Sequence, residues 1–159
     1  MNETDGPNSR REVLTGSTAA DALSLASVAG RSAKAHEINA VHPTEEQIEG
    51  FLAVDHDGPI VMVNLLKFKP DGGRAHYAKY AAGIMPILER IGARVLFAGQ
   101  AAFPLLGDVK WDAVALVQYP TKEIPIEMLR SPEYAAIRPH REAGLEGQVL
   151  YAVIQTGPA

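Results

Sequence analysis

Asn64 stands inside the apolar run Ile60-Val61-Met62-Val63-Asn64-Leu65-Leu66-Lys67-Phe68. A side-chain amide carries two donors and an acceptor, and all need partners once water is excluded. Two readings follow: the amide presents a hydrogen bond to a ligand in a cleft, or it satisfies neighbouring backbone and fixes strand register. A second polar cluster, Pro139-His140-Arg141-Glu142, precedes the last apolar stretch. His140 has the one side chain whose ordinary pKa lies near neutrality. It suits a general base or an axial haem ligand, or it packs against a turn. Arg141 can hold a carboxylate substrate, or pair with Glu142 or Glu146. Asn64, His140 and Arg141 are therefore the candidate catalytic groups, supplying polarisation and proton transfer.

Tyr77, Tyr80 and Trp111 are the candidate ligand-binding aromatics, each an apolar body with a polar tip. The alternative is a core role for the two tyrosines and a hairpin-anchoring role for Trp111. Other chemistries find no support. His36, His42, His56, His76 and His140 show no H-x-H or H-E-x-x-H spacing, so no zinc site is expected. Asp55-His56-Asp57-Gly58 is too short for a calcium loop. No glycine-rich phosphate loop and no G-x-S-x-G elbow occur. No cofactor is expected, and haem would rest on His140 alone.

The elements that must position these residues follow from periodicity and punctuation. Pro43-Thr44-Glu45-Glu46 opens a helix through about Val54, with His42 or Thr44 near its cap. The apolar run at 60–68 is a strand, bounded by Gly58-Pro59 and Pro70-Asp71-Gly72-Gly73. Tyr77, Tyr80, Ile84, Leu88 and Ile91 recur at steps of three and four, predicting a helix over 74–91 that Pro86 kinks or divides and Gly92 ends. A strand over 94–99 resumes through 102–106, with Gly99 marking a bulge or bend. The third strand is 111–119. Thr121 caps a helix to about Leu129, with Pro125 pointing to a late start or an irregular first turn. Tyr134 to Ile137 is a further helical turn that Pro139 stops, and Arg141 to Leu145 another. The last strand is 149–154.

From Gly58 onward the order is strand, helix, strand, strand, helix, strand, the split βαβ, ferredoxin-like pattern. The fold class is α+β: an antiparallel sheet with helices on one face. Such a sheet should alternate apolar and polar, yet Met62 and Leu66 are apolar on one face and Val61, Val63 and Leu65 on the other. Val114 and Leu116 alternate likewise with Ala113, Ala115 and Val117. Helices cover one face only, so a second copy of the sheet is expected on the other, as a homodimer.

With 159 residues, 47% hydrophobic and 21% charged, the chain allows one ordinary domain. The net charge of −4 and the absence of a basic stripe argue against nucleic acid. No cysteine is present, which excludes disulfides and thiolate chemistry. No apolar run reaches the ~20 residues of a membrane span. Residues 1–35 differ in kind: Ser9-Arg10-Arg11-Glu12-Val13-Leu14, an Ala/Ser-rich stretch to Gly30, then Ala33-Lys34-Ala35. That is the plan of an export signal, of the twin-arginine kind. Val13 and Thr15 depart from its Phe and Lys positions, and Asp21 interrupts its apolar part. A disordered tail is the alternative. A functional signal implies a periplasmic or exported domain over 36–159; otherwise the protein is cytoplasmic.

Pro59-Ile60-Val61-Met62-Val63-Asn64-Leu65-Leu66-Lys67-Phe68 resembles the P-v-v-M-x-N-L-L-k-F signature of the DUF1330 family. Trp111-Asp112 with Val114 to Pro120, Leu129 to Tyr134, and His140 to Glu146 resemble its later segments. The likeness spans about Thr44 to Ile154 and implies a dimeric α/β-barrel. It implies little about chemistry. Three functions stay open: a cofactor-independent enzyme on a small apolar oxygenated substrate, a non-catalytic ligand-binding or structural dimer, and a haem-handling barrel.

Overall fold

A computed structural model describes residues 40–157; the export segment read at 1–35 lies outside them. Helix α1 (Glu45–Leu52) opens on a reciprocal cap. Gln47 N donates to Thr44 Oγ1 at 3.2 Å, and Thr44 N donates to Gln47 Oε1 at 2.9 Å. Strand β1 (Ile60–Phe68) leads to helix α2 (Gly73–Arg90), strand β2 (Arg94–Gln100) and strand β3 (Ala113–Tyr119). Helices α3 (Glu123–Arg130) and α4 (Pro132–Gly144) follow, then strand β4 (Leu145–Val153).

The sheet order is β2-β3-β1-β4, antiparallel throughout. This is the ferredoxin-like α+β fold. The sheet is open, with β2 and β4 at its edges, so the barrel implied by the family likeness is not closed within one chain. The core lies between the sheet and the helices. Ile60, Met62, Val117 and Tyr119 meet Ile84 and Leu88 of α2, Met128 of α3 and Tyr134 of α4. On the opposite face Val63 sits between Leu116 and Tyr151. Phe97 and Tyr151 there are 53% and 66% exposed.

Several elements differ from the sequence expectation. Helix α2 runs unbroken past Pro86, and α4 runs past Pro139, where a stop is predicted. Both prolines are exposed, as are Ala82 and Ala135 four residues back. The carbonyls that lose their partners therefore turn to water. Gly92 does end α2: its φ is +74°, and Ala93 N donates to Leu88 O at 2.9 Å.

Thr121 is not the cap of α3; Lys122 holds that place without a side-chain bond. Pro125 needs no irregular start, because it lies in the first turn, where backbone N–H groups have no helical partner. Strand β2 does not resume at 102–106. Pro104 interrupts the donors there, and Phe103, Leu105 and Leu106 are 81%, 89% and 93% exposed. The register shift in β2 falls between Val95 and Phe97 rather than at Gly99. Gly99 has another role: a Cβ there would sit 2.7 Å from the Phe97 ring, which crosses over it. Finally, β4 begins at Leu145, straight out of α4, four residues before its predicted start.

Candidate functional site

Asn64 lies mid-strand in β1, on the helix-facing side with Met62 and Leu66. Its Nδ2 donates to Met62 O at 3.2 Å and to Ala115 O at 3.3 Å. Its Oδ1 accepts from Gln148 Nε2 at 2.8 Å. The Oε1 of Gln148 in turn accepts from Arg141 Nη2, and Arg141 Nη1 donates to Val41 O. A continuous polar chain therefore crosses from β3 through β1 and β4 to α4, and on to the segment ahead of α1. Gln148 is 8% exposed, the one buried polar residue among those described.

This chain borders a cavity of about 370 Å³ between the sheet and the helices. Its apolar walls include Phe51 of α1, Met62 of β1, Ile126 and Leu129 of α3 and Leu150 of β4. Tyr80 and Tyr134 line it too, packed edge to face with centroids 6.3 Å apart. Burial drives the Tyr80 phenol well above its ordinary pKa, the neighbouring Tyr134 adds to this, and the Arg141 charge opposes it. Tyr80 is thus a neutral donor throughout the physiological range.

Asn64 satisfies two backbone carbonyls with its amide nitrogen and also lines the cavity. Of the other candidates, Arg141 and Tyr80 join it there. Tyr77 stands one layer away, between Phe68 at 5.2 Å and Tyr80 at 5.3 Å, and burial pushes its pKa up to about 12. His140 faces His76 of α2, ring centroids 6.3 Å apart, rather than the cavity lining. Trp111 sits half-buried just before β3 and is not among the lining residues. Its neighbour Asp112 ties the hairpin to β1, accepting from Phe68 N at 2.8 Å with Lys67 Nζ 3.5 Å away.

Sequence reasoning missed Gln148, which sits in Glu146-Gly147-Gln148 and looks like a turn. It also missed the cavity wall formed by Ala40 to Phe51. His42 of that wall holds Nε2 3.2 Å from Glu142 Oε1. Among the described residues no three His, Cys, Asp or Glu side chains gather as a metal site, and no helix is long and apolar enough to cross a membrane.

Fold and cleft define a ferredoxin-like α+β domain with a pocket between its sheet and its helices. The chain belongs to the DUF1330 family, a domain of unknown function, whose family model matches residues 72–154. It is similar to RPA0582, a protein of unknown function from Rhodopseudomonas palustris, at 34% identity and a TM-score of 0.69; the match covers 76% of this chain and 99% of that one. The methylated form of that protein gives 33% identity and a TM-score of 0.70, covering 76% and 98%. At3g17210 from Arabidopsis thaliana shares the fold at 12% identity and a TM-score of 0.51, covering 63% and 98%. No curated protein matches the chain.

Proposed function

We propose that this domain binds a small, largely apolar, oxygen-bearing molecule in the cleft between sheet and helices. One observation carries the reading: an apolar-walled cavity of about 370 Å³ with the Asn64–Gln148–Arg141 chain at its polar border. The volume falls in the lower part of the ~300–1,000 Å³ range of small-molecule sites. Apolar walls supply affinity, and a few fixed polar groups orient the ligand. Native mass spectrometry of protein purified from its own host tests this. A retained small molecule, lost in Leu150→Trp, is expected. An empty wild-type protein whose amide NMR spectrum is unmoved by a library of small aromatic acids, amides and alcohols counts against it.

A second reading, that the domain transforms its ligand without a cofactor, is favoured by the His42–Glu142 pair at the cavity wall. A carboxylate holding one imidazole nitrogen orients the other for proton transfer. Solvent deuterium entering the retained ligand, and slowed by His42→Ala, supports that reading; exchange unaffected by the substitution removes it.

The domain works as a homodimer, with the apolar sheet face around Val63, Leu116 and Tyr151 meeting its copy. Two sheets packed this way would complete the barrel that one chain leaves open. Arg10-Arg11 and Ala33-Lys34-Ala35 support export to the periplasm. Replacing both arginines by lysine should keep the protein in the cytoplasm, as followed by fractionation.

A further inference from the structure

We infer that the ligand of the sheet–helix cavity is a monoanion, an apolar carboxylate or a close equivalent such as an enolate, whose charged oxygens meet Arg141. This rests on the cavity being a ligand site and adds the charge of what it takes.

Arg141 lines the cavity, yet its acceptors among the described residues are the Val41 carbonyl and the amide oxygen of Gln148, both neutral. It makes no ion pair with a carboxylate among those residues. The nearest acid in sequence, Glu142, is engaged elsewhere: its Oε1 lies 3.2 Å from His42 Nε2 and 3.1 Å from Arg138 Nε. The cavity lining contains no aspartate or glutamate among the described residues; its ionisable members are His42, Tyr80, Tyr134 and Arg141. A permanent positive charge thus borders an apolar space with no acid in its lining, in a chain whose net charge is −4.

A half-buried cation needs hydrogen-bonded or ionic compensation. Neutral oxygens give part of it. A guanidinium has five N–H donors, and the two contacts named leave others for a ligand. Gln148 is fixed by Asn64, so it holds the guanidinium in place without neutralising it. Tyr80, kept protonated by burial, adds a neutral donor to the same lining. A cationic fork, a phenol donor and apolar walls favour a monoanion over a neutral or cationic ligand. A dianion would leave one charge uncompensated against apolar walls.

The test is fluorine NMR titration of the full-length protein with 4-(trifluoromethyl)benzoate, 4-(trifluoromethyl)phenylacetate and a fluorinated aliphatic acid. Each acid is compared with its primary amide and its alcohol. The acids should bind about ten-fold or more tighter than their neutral counterparts, the scale of one charge-assisted hydrogen bond. Arg141→Gln should erase that preference while leaving amide binding, and Arg141→Lys should keep much of it. Circular dichroism melting shows that each variant is folded; if Arg141→Gln does not fold, the acid–amide ratio of the wild-type protein and Arg141→Lys decides. Equal affinity for acid and amide overturns the anion inference and leaves the cavity reading standing. Binding of no probe of either kind, in a protein that is also purified empty, overturns both.

Discussion

Gln148 Nε2 donates to Asn64 Oδ1 at 2.8 Å, joining the edge strand to its neighbour by side chains as well as by the backbone ladder. The pair is then held at both ends, by carbonyls on the Asn64 side and by Arg141 on the Gln148 side. Truncating either partner strands polar atoms away from water. Asn64→Leu or Gln148→Leu should each cost about 1–3 kcal/mol in urea denaturation. The double variant should cost clearly less than the sum, because each single change already breaks the shared bond. Strict additivity would show that the two amides do not act as a unit.

Helices α2 and α4 touch at backbone distance. A Cβ at Gly144 would lie 2.8 Å from Tyr77 N and 2.9 Å from Gly73 O, and these are main-chain atoms that cannot swing aside. Gly144→Ala should therefore destabilise by about 1–3 kcal/mol, measured by chemical denaturation. Gly50, mid-helix in α1, is the control, because a Cβ there would meet nothing within 4 Å. Gly50→Ala should stabilise by about 0.4–1 kcal/mol, by narrowing the unfolded ensemble.

Burial raises the Tyr77 phenol from 10.0 to about 12, with Arg141 opposing, and also raises Tyr80 and Tyr119. The folded state favours the protonated, neutral form. The unfolded chain releases these protons near its ordinary pKa, so between the two values it binds fewer protons than the native state. The stabilising contribution of Tyr77 is whole below pH 10.0 and falls as pH rises through about 12. Alkaline titration followed by tyrosinate absorbance should show delayed ionisation ending in cooperative unfolding. Tyr77→Phe should flatten the loss of stability across that window. Free titration of Tyr77, Tyr80 and Tyr119 near their ordinary pKa would contradict this account of their burial.

Val63 pairs with Leu116 on one side and Tyr151 on the other, on the sheet face opposite the helices of the described residues. A charge there should leave the monomer folded and break the proposed homodimer. Light scattering at micromolar concentration should give a dimer for the wild-type chain and a monomer for Val63→Glu. A wild-type monomer would remove the second sheet from the picture.

Much of the fold was legible because its signals are local. The apolar run of β1 announces a strand, and its one amide announces a polar position within it. The recurrence from Tyr77 to Leu88 announces α2. Errors arose where a local rule met a nonlocal circumstance. Pro139 marks a stop by rule, yet the carbonyl it orphans faces water. His140 and Arg141 look equivalent as neighbours, but about 100° separates consecutive side chains on a helix. Once α4 includes them, Arg141 turns to the cavity and His140 to His76. The wall from Ala40 to Phe51 was invisible for another reason. Val41 meets Arg141 across 100 positions of sequence, and no periodicity encodes such a meeting.

The absence of a loop between α4 and β4 makes helix and strand a single lever. Leu145 is at once the helix cap and the first strand residue, and it is almost fully buried. Arg141 sits on one arm of this lever, and Gln148 and Tyr151 on the other. No loop separates the two arms, so a tilt of α4 that moves the guanidinium acts on the edge strand through Leu145 and the register shift that follows it. What happens inside the pocket is thereby geared to the outer surface of the sheet.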